Sequence, residues 1–178
     1  MKYELTDEKM VTPAGAELRR IRAVRDIPRF GVKAGDLGGW VGSEKNLSQK
    51  GDAWVGGNAQ VGGNAWVGDN AQVGGNARVG GNAWVGGDAR VEGDADYAVY
   101  KNTWSSGRWF MYTRSDRMWR VGCFHGTGEE LIAKAYRDSE LSGRCYEAVV
   151  RAQEAIDAAL DEVVGGKAGK EKNDETEG

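Results

Sequence analysis

From Gly51 to Ala98 the apolar positions recur every six residues. The chain reads GDAWVG, GNAQVG, GNAWVG, DNAQVG, GNARVG, GNAWVG, GDARVE, GDADYA, eight hexads in unbroken register. Valine holds the fifth place in seven of them, at Val55, Val61, Val67, Val73, Val79, Val85 and Val91, and Tyr97 holds it in the eighth. Ala-x-Val is a short strand, and side chains along a strand alternate between its two sides. Alanine and valine are apolar throughout, so their side is the inside. The x residues are Trp54, Gln60, Trp66, Gln72, Arg78, Trp84, Arg90 and Asp96, a mixture that suits an outer surface. Gly-Asn or Gly-Asp makes each corner, because glycine accepts positive φ freely and Asn and Asp tolerate it. Strands this short, with a corner every six residues, cannot pair as hairpins. They can form a coil whose flat sides stack on the next coil.

The flanks follow other periods. Residues 2–5 and 17–26 read as strands, and Arg19, Arg20, Arg22, Arg25 and Arg29 crowd the second against one acid, Asp26. Those arginines suit either an anion site or a solvated strand paired with Glu4, Asp7 or Glu8. Residues 97–124 read as a three-stranded meander, Tyr97–Trp104, Arg108–Arg114 and Arg117–Phe124, with turn chemistry between. Its aromatics (Trp104, Trp109, Phe110, Tyr112, Trp119, Phe124) interleave with Arg108, Arg114, Arg117 and Arg120. That mixture suits a nucleotide clamp or the core of a very small sheet. Thr127-Gly128-Glu129-Glu130 is a capping box, opening a helix to about Leu141 that Ser142-Gly143 breaks. A second helix carries Tyr146, Val149, Val150, Ile156, Leu160 and Val163 near one face. The division expected is therefore 1–32 as an N-terminal strand cap, 33–96 as the repeat, 97–163 as meander plus two helices, and 164–178 as a disordered tail.

The hexads resemble the hexapeptide-repeat, left-handed parallel β-helix family. That resemblance implies a mostly β fold with three hexads per triangular coil, and so about 2.7 coils from eight hexads. Leu37–Val41 and Asn46–Ser48 look like a degenerate earlier coil with an insertion before Gly51. Trp66 and Trp84 would then stack on one face, Trp54, Gln72 and Arg90 on a second, and Gln60 and Arg78 on a third. The same resemblance implies a homotrimer, in which a neighbouring subunit would cover the exposed tryptophans. The layout also resembles a group of small phage and prophage proteins. The residues that carry this are Tyr3–Thr6, Arg20–Ala23, Gly35–Val41, Glu44–Ser48, the hexads and Gly122–Thr127. It implies a phage-encoded protein working in the cytoplasm of an infected bacterium.

Composition narrows the partners. The 178 residues carry a net charge of −3, which argues against bulk nucleic-acid binding. No stretch has the length and apolarity of a membrane span, and the first residues lack a signal-peptide core. Cys123 and Cys145 read as free thiols.

Catalytic signals are sparse. Acyltransferases of the hexapeptide-repeat family use a histidine base, and this chain has one histidine, His125, outside the repeat. Zinc sites of the related carbonic-anhydrase-like group need several histidines. The corner residues Asp52, Asn58, Asn64, Asp88 and Asp94 sit where turn geometry requires them. No cofactor and no metal are expected. The ligand-binding candidates are Trp54, Trp66 and Trp84, which could stack a flat molecule, and Arg78 and Arg90, which could hold its anionic group. The leading expectation is a non-catalytic, homotrimeric phage protein that captures a host component. That component would be a small anionic nucleotide of antiviral signalling or a host defence protein. The alternatives are an acyltransferase using acetyl-CoA with His125 as base, and a structural virion component.

Overall fold

A computed structural model of the chain describes residues 1–171, with side chains through residue 163. The fold is mostly β with a C-terminal helix pair, and it divides into two compact units, Met1–Gly126 and Thr127–Gly178.

The first unit begins with an antiparallel pair, β1 (Tyr3–Val11) and β2 (Glu17–Ala23), and β3 (Leu37–Val41) adds antiparallel to β2. Seven two-residue strands follow, one for each of the first seven hexads: β4 (Trp54–Val55), β5 (Gln60–Val61), β6 (Trp66–Val67), β7 (Gln72–Val73), β8 (Arg78–Val79), β9 (Trp84–Val85) and β10 (Arg90–Val91). They form three parallel ladders: β4-β7-β10, β3-β5-β8 and β6-β9. Each hexad therefore pairs with the hexad 18 residues on, as in Trp66 with Trp84. The first rungs are offset. Trp40 pairs with Gln60 and Leu47 with Val67, 20 residues apart, so two extra residues precede Gly51.

The alanines and valines of the first seven hexads are at most 2% exposed and form one core. Fully burying a valine is worth roughly 1.5–3 kcal/mol, so this interior is the main stabilising feature of the repeat.

The ladders have a polarity. Most ladder hydrogen bonds run from an N–H to the C=O of the next rung, as in Trp54 N to Ala71 O and Gly68 N to Val85 O. The first rungs are thus left mainly with acceptors and the last mainly with donors. Donors cap the first end. Lys2 Nζ donates to Ala53 O, Arg25 to Gly51 O, and Asn46 Nδ2 to Gly63 O and Ala65 O. Acceptors cap the last end. Arg78 N donates to Asp94 Oδ1, Trp84 N to Met111 Sδ, Arg90 N to Ser115 Oγ, and Glu92 N to Asp96 Oδ2.

Met111 and Ser115 belong to a meander of four strands, not the three expected: β11 (Tyr97–Lys101), β12 (Trp109–Thr113), β13 (Met118–Val121) and β14 (Phe124–Gly126). Val121 pairs with Phe124, so Gly122-Cys123 is a two-residue reversal. Gly122 takes φ +58 there, a conformation that glycine adopts without a Cβ clash. The meander belongs to the same compact unit as the repeat, rather than grouping with the helices.

In the second unit, α1 spans Gly128–Asp138 and α2 spans Glu140–Glu171. The capping box is present: Thr127 Oγ1 accepts from Glu130 N, and Thr127 N donates to Glu130 Oε2. The break falls at Ser139, not at Ser142-Gly143. Ser139 is extended and its Oγ accepts from Ser142 N, so one serine ends α1 and caps α2. The buried face of α2 includes Tyr146, Val150, Gln153 and Asp157, while Ile156 and Val163 are exposed. α2 also continues through Gly165 to Glu171, into the segment expected as a tail, and residues 172–178 lie outside the described residues.

Candidate functional site

The ladder β6-β9 brings Trp66 and Trp84 together with ring centroids 5.0 Å apart and planes at 85°. An edge-to-face pair of this kind is a favourable aromatic contact. The meander then lays side chains of two strands, β12 and β13, beside it. The guanidinium of Arg120 (β13) lies over Trp84 at 5.1 Å, and its Nη2 is 3.7 Å from Asp69 Oδ2. Asp69 stands at a corner place that glycine holds in all seven other hexads and keeps φ +55. Its carboxylate accepts from Gly87 N at 2.9 Å, which ties the two corners and positions the acid for Arg120.

Between this tryptophan pair and β12 lies a cavity of about 480 Å³. Trp66, Trp84 and Trp109 give it aromatic surface, and Arg108 and Arg120 give it two cations. Asn64 and Asn82 line it with amides joined by a 3.3 Å hydrogen bond from Asn64 Nδ2 to Asn82 Oδ1. Among the described residues, no acidic one lines it. Trp84 remains 42% and Trp109 44% exposed, so aromatic surface is open to a ligand. Part of the cover over Trp66 and Trp84 comes from the chain's own meander.

The five sequence-predicted residues separate. Trp66 and Trp84 line this cavity. Arg78 lines a second one of about 480 Å³, walled by the β1-β2 turn, the glycines after Val61 and Val79, and Tyr97. Tyr97 donates its hydroxyl to Arg78 O at 2.7 Å, and burial pushes its phenol above the ordinary value. Arg90 is exposed on the ladder of β4, β7 and β10 and lines neither cavity. Trp54 corrects the expectation that every x residue faces out. It is 3% exposed, because β3 packs against β4 and closes that face over it. Its ring belongs to the core and offers no surface for stacking.

Arg108, Trp109, Arg120, Asn64 and Asn82 are site residues that the repeat alone does not reveal. The interleaved aromatics and arginines of the meander signal the first three. The two asparagines carry no signal, since corner asparagines recur through the hexads.

Other candidates resolve differently. Four of the five N-terminal arginines are paired: Arg22 with Glu4 at 3.1 Å, Arg20 with Glu8 at 3.4 Å, Arg25 with Asp52 at 3.3 Å and Arg29 with Asp88 at 2.7 Å. His125 is exposed on β14, opposite Arg120, and does not line the tryptophan cavity. Cys123 and Cys145 are free thiols. Among the described residues no group of three His, Cys, Asp or Glu side chains could hold a metal ion. No helix among them is long and apolar enough to cross a membrane. In comparisons with known proteins, no family and no curated sequence matches the chain.

Proposed function

We propose that this is a non-catalytic binding protein that captures a small anionic nucleotide in the tryptophan cavity. One observation carries the reading: the Trp66–Trp84 pair, with Trp84 beneath Arg120, lines a cavity that Arg108 also lines and that, among the described residues, no acid does. Every nucleobase has a π-face that stacks on tryptophan, and arginine holds phosphate through a rigid fork of donors. A volume of about 480 Å³ lies within the usual range for small-molecule sites. Arg108 and Arg120 replace Arg78 and Arg90 as the anion-holding residues of this reading. His125 stands outside the cavity, so nothing there favours the acyltransferase alternative.

The three ladders with their 18-residue step support a finer reading of the fold, as the three sides of a short left-handed parallel β-helix of the hexapeptide-repeat kind. That reading brings with it a homotrimer. The resemblance to phage and prophage proteins supports capture in the cytoplasm of an infected bacterium, with a nucleotide signal of host defence as the ligand and a defence protein as the other candidate partner.

Native mass spectrometry tests this on protein purified gently from bacteria, before and after denaturation. The expected result is a trimer that releases a nucleotide on denaturation, with retention lost in Trp84→Ala and Arg108→Ala. Protein that carries no nucleotide and takes up none from an added mixture of nucleoside phosphates would overturn the reading.

A further inference from the structure

We infer that Asp69 sets the charge of the ligand: by holding Arg120 it leaves the cavity one unshared cation among the described residues, Arg108, which suits a nucleotide with a single phosphate rather than a triphosphate. This rests on the nucleotide reading above and concerns how much negative charge the site accepts, whatever the base.

Asp69 is the one departure from glycine at the first place of the eight hexads. It keeps the left-handed backbone that glycine takes at most of the other corners. A side chain there carries a steric cost that glycine avoids. What the side chain gains is position. Its Oδ2 accepts from Gly87 N at 2.9 Å and stands 3.7 Å from Arg120 Nη2. Gly86 leaves the space in which these groups meet, since a Cβ there would come within 2.8 Å of Asp69 Oδ2 and 3.1 Å of Arg120 Nη2.

The two arginines of the cavity are therefore not equivalent. The side chain of Arg120 is 18% exposed, lies over Trp84 at 5.1 Å and shares its charge with Asp69. Arg108 is exposed and, among the described residues, its guanidinium is in no ion pair. Lys101 lies over the ring of Trp109 at 5.5 Å and does not line the cavity. The Arg108 fork can hold one phosphate group. A triphosphate brings more negative charge, and among the described residues the lining offers it no further unshared cation. Asp69 does not line the cavity itself, so it is a positioning residue that acts through Arg120. Asp69→Asn isolates that action. It keeps an oxygen for Gly87 N and a side chain that tolerates positive φ, and it removes the charge.

Calorimetric titration of the full chain with AMP, GMP, UMP and CMP and with the matching triphosphates, in magnesium-free buffer, tests this. In wild type each triphosphate should bind within about threefold of its monophosphate. In D69N the guanidinium of Arg120 is free to turn to the phosphates. A charge-assisted contact of that kind predicts that triphosphates gain about tenfold over monophosphates. The gain should shrink with added salt. It should be absent from the double variant Asp69→Asn/Arg120→Met, which keeps an apolar cover on Trp84. That variant separates the release of Arg120 from the mere loss of a negative charge. Wild type that binds triphosphates more than about threefold tighter, a ratio unchanged in D69N, or a gain that persists in the double variant overturns the role of Asp69 and leaves nucleotide capture standing. No binding of any of these nucleotides overturns both.

Discussion

Trp84 is held from two sides: Trp66 meets it edge to face at 5.0 Å, and Arg120 covers it at 5.1 Å. The first contact comes from the 18-residue ladder and the second from the meander. Removing the indole therefore takes away both the stacking surface and the seat of the guanidinium. Base–aromatic stacking is worth about 1–3 kcal/mol per base, so Trp84→Ala should weaken nucleotide binding by roughly tenfold to a hundredfold. Because Trp84 is 42% exposed, the thermal midpoint should fall by only a few degrees. Calorimetry and thermal melts on the same sample separate the two effects. A large loss of stability with intact binding would place Trp84 in the core and not in the site.

The polarity of the ladders predicts unequal roles for their caps. Asp94 Oδ1 accepts the Arg78 N–H at 2.8 Å, at the end where donors are left over. Asp94→Ala should cost about 1–2 kcal/mol, and Asp94→Asn, which keeps an oxygen acceptor, less than half of that. Urea unfolding monitored by tryptophan fluorescence measures both. Equal losses would mean that the charge matters and the ladder end does not.

How far the sequence reaches can be judged from particular residues. The interior was legible because Ala and Val repeat with one period, and so was the stacking of Trp66 on Trp84, since both occupy the same place three hexads apart. Trp54 was not. Its place in the hexad says outward, but β3 covers that face, and the hexad pattern cannot report what a distant strand does. Arg120 belongs to the site through contacts with Trp84 and Asp69, 36 and 51 residues away, and no local periodicity links them. The fourth strand of the meander was hidden because Gly122-Cys123 is too short to look like a break.

Gly143 shows a local rule overridden by packing, and it gives a prediction with an unambiguous sign. Glycine inside a helix normally costs about 1 kcal/mol relative to alanine, so propensity alone makes Gly143→Ala stabilising. A Cβ at Gly143, however, would overlap three atoms of the Tyr136 ring. Tyr136 is held in turn by a hydrogen bond from its hydroxyl to Glu147 Oε2 at 2.7 Å. Gly143→Ala should therefore destabilise, by about 1–3 kcal/mol, as overpacking does. Circular dichroism of the helix signal during denaturation reads this directly. The double variant Gly143→Ala/Tyr136→Ala should recover most of the loss.

Lys2 and Tyr3 make the first end of the ladders sensitive to alkaline pH, in opposite directions. Lys2 is 1% exposed, and burial pushes its amine from 10.5 down to about 8, helped by the nearby Arg25 and opposed by Asp52. Between those two values the unfolded chain binds a proton that the folded chain does not, so stability rises with pH across that window. The shift corresponds to a gain on the order of 2 kcal/mol between pH 8 and pH 10. Burial also pushes the Tyr3 phenol from 10 up to about 12, with Glu44 adding to it. Here the folded chain keeps a proton that the unfolded chain loses. That contribution is complete below pH 10 and is lost as pH climbs through 12. Wild type should thus gain stability from pH 8 toward pH 10 relative to Lys2→Met, and above pH 10 it should lose stability relative to Tyr3→Phe. Urea unfolding at half-unit pH steps gives both differences. Parallel curves for wild type and Lys2→Met from pH 8 to pH 10 would show that the buried amine does not titrate in that range.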